Sequence, residues 1–265
     1  MPVFFEGKIH SVFENAVNIN IPSQSDRRKS PREAFHSDDR LISLTHKKFF
    51  NGPNRIVLDG FSDLRHFFLG SENVKFERDK LFFSNAVTVN VKYSKRWNSS
   101  VKKICVGEID TTAVSYYLKK YSFIKASLIE KFKVAVKLQN KELFNYNVDK
   151  LLGLGFGLTP SGDDFLAGFL SASHFFSELQ PFDFFLKNTE INYSKTNFIS
   201  AEYLRYARAG RISEVIANTV ISVSEKKSTV EFWLTNLVNI GDTSGYDTLL
   251  GILTAMEVYN ACKSC

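Results

Sequence analysis

The sequence predicts an α+β protein with a strand-rich front and a helical back. Two observations carry this. Short runs rich in Val, Ile and Phe, divided by turn signals, fill the first hundred residues. From Asp110 onward the apolar residues change to helical spacing, as in Ala113, Tyr117, Tyr121, Ile124 and Leu128. Strands followed by helices, with no alternation, are the pattern of segregated α+β folds. At 265 residues and 44% hydrophobic composition, the chain can bury a core without a disulfide or metal staple.

The expected strands are Lys8 to Phe13, Ala16 to Ile21, Leu41 to Thr45, Arg55 to Leu58, Val74 to Phe76, Ala86 to Lys92 and Lys102 to Val106. Asn51-Gly52-Pro53-Asn54 and Asp59-Gly60 supply turns between them. They form a small sheet or barrel. Between the second and third, Ser23 to Asp39 is polar and proline-broken, and reads as a mobile loop. Further helices are expected at Ser161 to Glu178, Asn197 to Ala209, Ile212 to Ser224, Thr229 to Asn239 and Ser244 to Ala261. The domains are then a β-rich unit over 1–108 and a helical unit over 109–265. The 25 phenylalanines, and Tyr116 with Tyr117, are assigned to core packing before any interface.

Composition narrows the function classes. The amino terminus, MPVFFEGKIH, lacks the basic start and long apolar middle of a secretory signal, and no apolar stretch has the length of a membrane-spanning helix. Cys105, Cys262 and Cys265 cannot all pair within one chain, which favours a reducing, cytoplasmic compartment. The Cys262-Lys-Ser-Cys265 spacing reads as ordinary thiols, and the five histidines have no zinc-ligand spacing. Residues 1–150 hold 26 Lys+Arg against 16 Asp+Glu, while 151–265 hold 8 against 12. Apart from Arg27, Arg28, Lys29 and Arg32 the basic excess is thinly spread, so nucleic acid is not expected as a partner. A basic half suits a small anionic substrate or an acidic partner subunit.

The chemistry concentrates at GLGFGLTPSGDDFLAG, Gly153 to Gly168. Gly153, Gly155, Gly157 and Gly162 crowd one turn that enters a helix at Ser161, and the exposed amides of such a helix start form an anion site. No Gly-Lys-Ser/Thr follows, which excludes a P-loop, and the third glycine of a dinucleotide fingerprint is missing. The pattern Ser161-Gly-x-Asp164-x-Leu166-x-Gly168-x-Leu170 recurs 83 residues later as Ser244-Gly245-x-Asp247-x-Leu249-x-Gly251-x-Leu253. Each serine is placed to cap its helix, with the aspartate three positions on reaching back as in a capping box. Gly168 with Ala172, and Gly251 with Ala255, place small residues on one face, so the two helices are expected to pack on each other or to hold equivalent places in a pseudo-repeat.

If both helix starts face one cleft, Thr159, Ser161, Thr243 and Ser244 add hydroxyls to the amides. Asp163, Asp164, Asp242 and Asp247 would repel an anion unless they cap helices, are protonated or hold a metal. Two capping boxes on two packed helices account for the repeated residues without any ligand, but not for Gly153, Gly155, Gly157, Thr159 and Asp163. Arg205, Arg208 and Arg211 recur every three residues, which is the pattern of a solvated helix face or of a cationic edge. No arrangement of Ser, His and Asp indicates a covalent nucleophile.

The uninterrupted stretch from Gly153 to Gly168 resembles the family of the oxamate carbamoyltransferase subunit AllH. The later element Gly241 to Gly251, the series Leu204, Ala207 and Gly210, and the opening Ser11 to Phe13 with Ala16 and Asn18 are also similar to it, so the likeness covers nearly the whole chain. At Asp242 this chain departs from the apolar residue or histidine usual in the family. The resemblance implies a subunit of a multi-protein enzyme of anaerobic allantoin breakdown that transfers a carbamoyl group between oxalurate and phosphate, giving oxamate and carbamoyl phosphate. In that setting Gly155, Gly157, Ser161 and Gly162 hold the anion, Thr159 and Ser244 orient it, and Asp164 and Asp247 fix the helix starts, with Asp163, Thr243 and Gly245 beside them. No cofactor is expected. The alternatives are a non-catalytic assembly subunit, and a nucleotide or phosphoryl enzyme using Asp163 and Asp164 as magnesium ligands.

Overall fold

A computed structural model describes residues 4–22, 40–118 and 123–263. The Ser23 to Asp39 loop, with Arg27, Arg28, Lys29 and Arg32, lies outside the described residues, as do Tyr121 and Cys265. The chain divides into two compact units at Asn98/Ser99.

The first unit holds one seven-stranded sheet. Its strands are β1 (Phe4–Val12), β2 (Ala16–Ile21), β3 (Arg40–His46), β4 (Arg55–Leu58), β5 (Asn73–Glu77), β6 (Lys80–Phe83) and β7 (Thr88–Asn90), in the order β4-β3-β2-β1-β5-β6-β7. All pairs are antiparallel except β3 with β4. One face is apolar: Val17, Ile19, Leu44, Val74, Leu81 and Phe83 pack with Leu64 and with Phe68 from the short helix α1 (Arg65–Phe68). The alternate residues of β2 are buried too, but they are polar. Asn18 satisfies itself by donating to Ser11 Oγ (3.0 Å) and accepting from Ser43 Oγ (2.8 Å).

The second unit is helical: α2 (Thr112–Tyr117), α3 (Ala126–Lys137), α4 (Lys141–Leu151), α5 (Ser161–Phe175), α6 (Gln180–Asn188), α7 (Phe198–Arg208), α8 (Glu214–Ser224), α9 (Val230–Val238) and α10 (Ser244–Lys263). The expected strand at Lys102 to Val106 does not form. Its backbone is spent on helices, with Ile104 N donating to the Phe175 carbonyl (2.8 Å) and Val106 exchanging bonds with the Tyr259 hydroxyl. Helices α4 and α6 and strand β6 were not anticipated, and Ile124 lies in a bend outside the helix its spacing suggested. No helix among the described residues is long and apolar enough to cross a membrane.

Helix α5 is buried on nearly every side, as its sequence, apolar nearly all round, requires. Phe165 and Phe169 stand in a phenylalanine cluster with Phe132, Phe144, Phe182 and Phe185, all fully buried. Against the other side lies α10. A Cβ on Gly168 would sit 2.1 Å from the Thr248 carbonyl oxygen, and one on Gly251 would sit 2.1 Å from the Phe165 carbonyl oxygen. Those partners, too, are 83 residues apart. Each helix therefore offers the same glycine and the same carbonyl to its counterpart, the reciprocity of a local two-fold axis. Thr159 touches Ser244 at the helix starts, and the rings of Phe176 and Tyr259, again 83 apart, meet at 4.7 Å near the ends. The two helices run in the same sense with their starts together.

Backbone contact this close leaves no room for a methyl group. Gly168→Ala and Gly251→Ala are each expected to lower the unfolding free energy by about 3 kcal/mol through overpacking. Gly60→Ala, at a positive-φ turn with open space around it, should lose about 1 kcal/mol. Urea unfolding followed by circular dichroism checks the ranking.

Candidate functional site

The reciprocal packing of α5 and α10 draws two helix starts to one place, and the turn from α4 into α5 lies over it. Gly153, Gly155 and Gly157 all have positive φ, at 71°, 119° and 90°. At the first two the absence of a side chain is also steric: a Cβ on Gly153 would lie 2.3 Å from the Lys195 carbonyl oxygen, and one on Gly155 would lie 2.7 Å from Ser161 N. Around Gly157 there is open space. The second turn repeats the device once, at Gly241 (φ 63°), whose missing Cβ faces Ser244.

The expected capping boxes are absent from α5. Its N-cap is Pro160, which has no side-chain cap bond, and Ser161 is the first helical residue. Three of the four opening amides are satisfied by backbone instead. Gly162 N donates to the Leu154 carbonyl (2.8 Å), and Asp163 N and Asp164 N donate to the Pro160 carbonyl. In the second copy, Gly245 N donates to the Ile240 carbonyl (3.0 Å) and Asp247 N to the Thr243 carbonyl. Gly162 and Gly245 therefore serve contact more than donation: a Cβ on them would lie 1.9 Å from the Leu151 carbonyl oxygen and 2.0 Å from that of Leu237.

A different set of amides is left over. Among the described residues, those of Gly155, Phe156, Gly157, Leu158, Thr159 and Ser161 donate to no acceptor within the chain. They line the apex of the glycine turn and the first residue of α5.

Asp163 has a structural task. Buried, it accepts from Gly153 N (2.9 Å) and from the Thr196 hydroxyl, so it ties the glycine turn to the 3₁₀ turn Tyr193–Lys195 and the residue after it. Asp164 points elsewhere. Its neighbours are Thr159 and Ser244, whose hydroxyls bond each other at 2.7 Å across the two helix starts. Asp247, its counterpart 83 residues on, is 1% exposed, and Asp164 is 9% exposed. Burial raises the Asp164 carboxyl well above its ordinary value of 3.8, and the charges of Asp247 and Asp163 add to that rise. The hydroxyls of Ser244 and Thr159 oppose it without overcoming it. One Asp164 oxygen, Oδ2, is buried with no hydrogen-bond partner. Thr243 and Asp242 are exposed beside Ser244, which is half-buried.

Two of the three arginines are engaged elsewhere. Arg205 pairs with buried Glu202 (2.6 Å) and stacks on Tyr193 (4.6 Å to the ring centre), and Arg208 donates to the Leu186 carbonyl, while Arg211 is exposed and pairs with Ser100 through its backbone. Lys150, the nearest cation along the chain, lies over the Tyr146 ring (5.3 Å to the centroid), and Lys195, whose carbonyl lies against Gly153, pairs with Asp149 at 2.5 Å. Among the described residues no group of three His, Cys, Asp or Glu side chains is placed to hold a metal ion. Composition gave no hint of Phe156: it is 86% exposed at the glycine turn, with Leu158 at 43%, and meets Phe123, itself 44% exposed, edge to face at 5.6 Å.

The raised Asp164 carboxyl has a pH signature. Its folded form binds a proton more tightly than the unfolded chain, so its stabilising contribution is complete below 3.8 and is lost as pH rises toward and through the raised value. Relative to Asp164→Asn, the unmodified chain should lose up to about 1.4 kcal/mol per pH unit above that lower limit. Urea unfolding of both proteins across the acid to neutral range measures the difference, and a constant difference contradicts it.

No solved structure matches the chain. Residues 151–256, which contain the glycine turn, both helix starts and the carboxyls between them, match the model of the family described as oxamate carbamoyltransferase subunit AllH.

Proposed function

We propose that this chain is a subunit of a cytoplasmic carbamoyltransferase and that it holds an anionic substrate, phosphate or the phosphoryl end of carbamoyl phosphate, at the glycine turn. The observation that carries the reading is the run of amides from Gly155 to Thr159, with Ser161, that find no acceptor within the chain beside two converging helix starts. Both helix dipoles place their positive ends there, and Thr159 and Ser244 add hydroxyls. The acidic residues around the turn do not oppose an anion as their formal charges suggest. Asp163 is engaged by Gly153 and Thr196, and Asp164 is held toward its neutral form by burial.

Carbamoyl transfer between oxalurate and phosphate, the reaction that fits the family description, suits such a site. Oriented dipoles stabilise the charge that develops on a carbonyl oxygen and a phosphoryl group during acyl transfer. The turn brings no unpaired cation of its own, and the basic residues that such a reaction uses would come from partner subunits. The exposed Phe156 and Leu158 beside the amides support a partner closing over this surface. A reading in which the motif serves assembly alone gains from the same apolar exposure.

Calorimetric titration of the purified chain with phosphate, carbamoyl phosphate, oxamate and ATP separates these readings. Saturable binding of phosphate or carbamoyl phosphate is expected, weakened about tenfold by Ser244→Ala or Thr159→Ala through the loss of one charge-assisted hydrogen bond. A folded chain that binds none of the four supports the assembly role, and binding that prefers ATP with magnesium supports a phosphoryl enzyme.

A further inference from the structure

Of the two buried carboxyls at the helix starts whose Oδ2 makes no hydrogen bond, Asp164 and Asp247, Asp164 is the less deeply buried. Asp164 is nine-tenths buried, bonds nothing through Oδ2, and is not needed as a cap, because Pro160 and Leu154 carbonyls already serve the opening amides of α5. A buried acceptor left open costs about as much as a lost hydrogen bond and persists where function requires it. Its position is fixed from both sides. The residues that follow Asp164 and Asp247, Phe165 and Thr248, present the carbonyls that touch Gly251 and Gly168, so the two carboxyls flank the crossing of the helices. The charged groups acting on Asp164 are both carboxyls, Asp247 from α10 and Asp163 from its own helix, while Ser244 and Thr159 supply the hydroxyls.

We propose that Asp164 is the acid–base group of the site, passing a proton to and from the anion in the glycine turn beside Thr159, with Asp247 as the positioning residue across the two helix starts. This rests on the reading of the turn as a phosphate site. In carbamoyl transfer to phosphate, a phosphate oxygen bonds to the carbamoyl carbon and the bond from that carbon to nitrogen breaks. The departing nitrogen takes a proton and the acid phosphate gives one up. Asp164 donates the first through its free oxygen and recovers the second, so it ends the turnover protonated as it began. A carboxylate there would instead repel the phosphate. The inward member, Asp247, repels charge on Asp164 and needs no contact with substrate.

Infrared difference spectroscopy of the unmodified chain against Asp164→Asn tests the inference without a substrate. A protonated-carboxyl carbonyl band is expected at neutral pH, missing in the variant and shifted by inorganic phosphate. Asp247→Asn should make that band titrate away at lower pH. In the complex assembled with its partner subunits, Asp164→Asn should keep phosphate binding while turnover falls about a hundredfold or more. Phosphate binding without the band, an Asp247→Asn titration identical to the parent, or full turnover by Asp164→Asn overturns the relay alone. The band without calorimetric phosphate binding overturns the anion reading of the turn, and the relay with it.

Discussion

The contact between α5 and α10 through Gly168 and Gly251 is the constraint on which the site depends. Two helices ordinarily pack with axes about 8 to 10 Å apart, set by the side chains between them. Here a glycine from each meets a backbone carbonyl of the other. Approach this close, made twice by equivalent residues, fixes both the crossing point and the rotation of each helix. It brings the Thr159 and Ser244 hydroxyls into contact and leaves Asp164 and Asp247 buried, out of reach of bulk solvation. The phenylalanine cluster around Phe132, Phe165 and Phe169 holds the far side of α5, so the helix cannot relax away from its partner.

Electrostatics at the site follow from that burial. Two carboxyls close together in a poorly solvated place cannot both ionise at ordinary cost, so one retains its proton to higher pH. The sum of formal charges around the turn is therefore a poor guide to what it attracts. What the turn presents is a set of amides without acceptors within the chain, two hydroxyls bonded to each other and the positive ends of two helix dipoles. Sequence counting made the four aspartates an obstacle to an anion site. Hydrogen bonding and desolvation remove two of them from that account.

Much of this was legible in the sequence, because repetition and glycine crowding are local signals. The 83-residue repeat foretold two equivalent helices, and the small residues at its centre foretold their packing. The capping box of α5 did not form, since capping is a competition for amides and distant backbone can win it. Leu154 and Ile240 carbonyls reach Gly162 N and Gly245 N first, and nothing in a Ser-Gly-x-Asp pattern reveals a carbonyl supplied by a preceding turn. The strand expected at Lys102 to Val106 failed for a related reason. Its β-rich residues find their partners on the Phe175 carbonyl and the Tyr259 hydroxyl, a tertiary choice that residue propensity does not encode. In the sheet, β2 and β4 fall where expected, while β6 was hidden because Lys80–Phe83 lacks alternation and follows β5 after a tight turn.

The local two-fold also shows which part of the motif packing does not require. The connection from α9, ending at Val238, to α10, starting at Ser244, takes the five residues 239–243, with one positive-φ glycine. The connection from α4, ending at Leu151, to α5, starting at Ser161, takes the nine residues 152–160, with three such glycines. Both deliver the same result, a glycine at the second helical position seated on a carbonyl at the end of the preceding helix, and the same reciprocal contact further on. The shorter turn demonstrates that five residues suffice for it. The four additional residues of the longer one, with amides that find no acceptor within the chain and the exposed Phe156, are not needed for the joining of the helices, and it is in these residues that the two halves of an otherwise repeated arrangement part company.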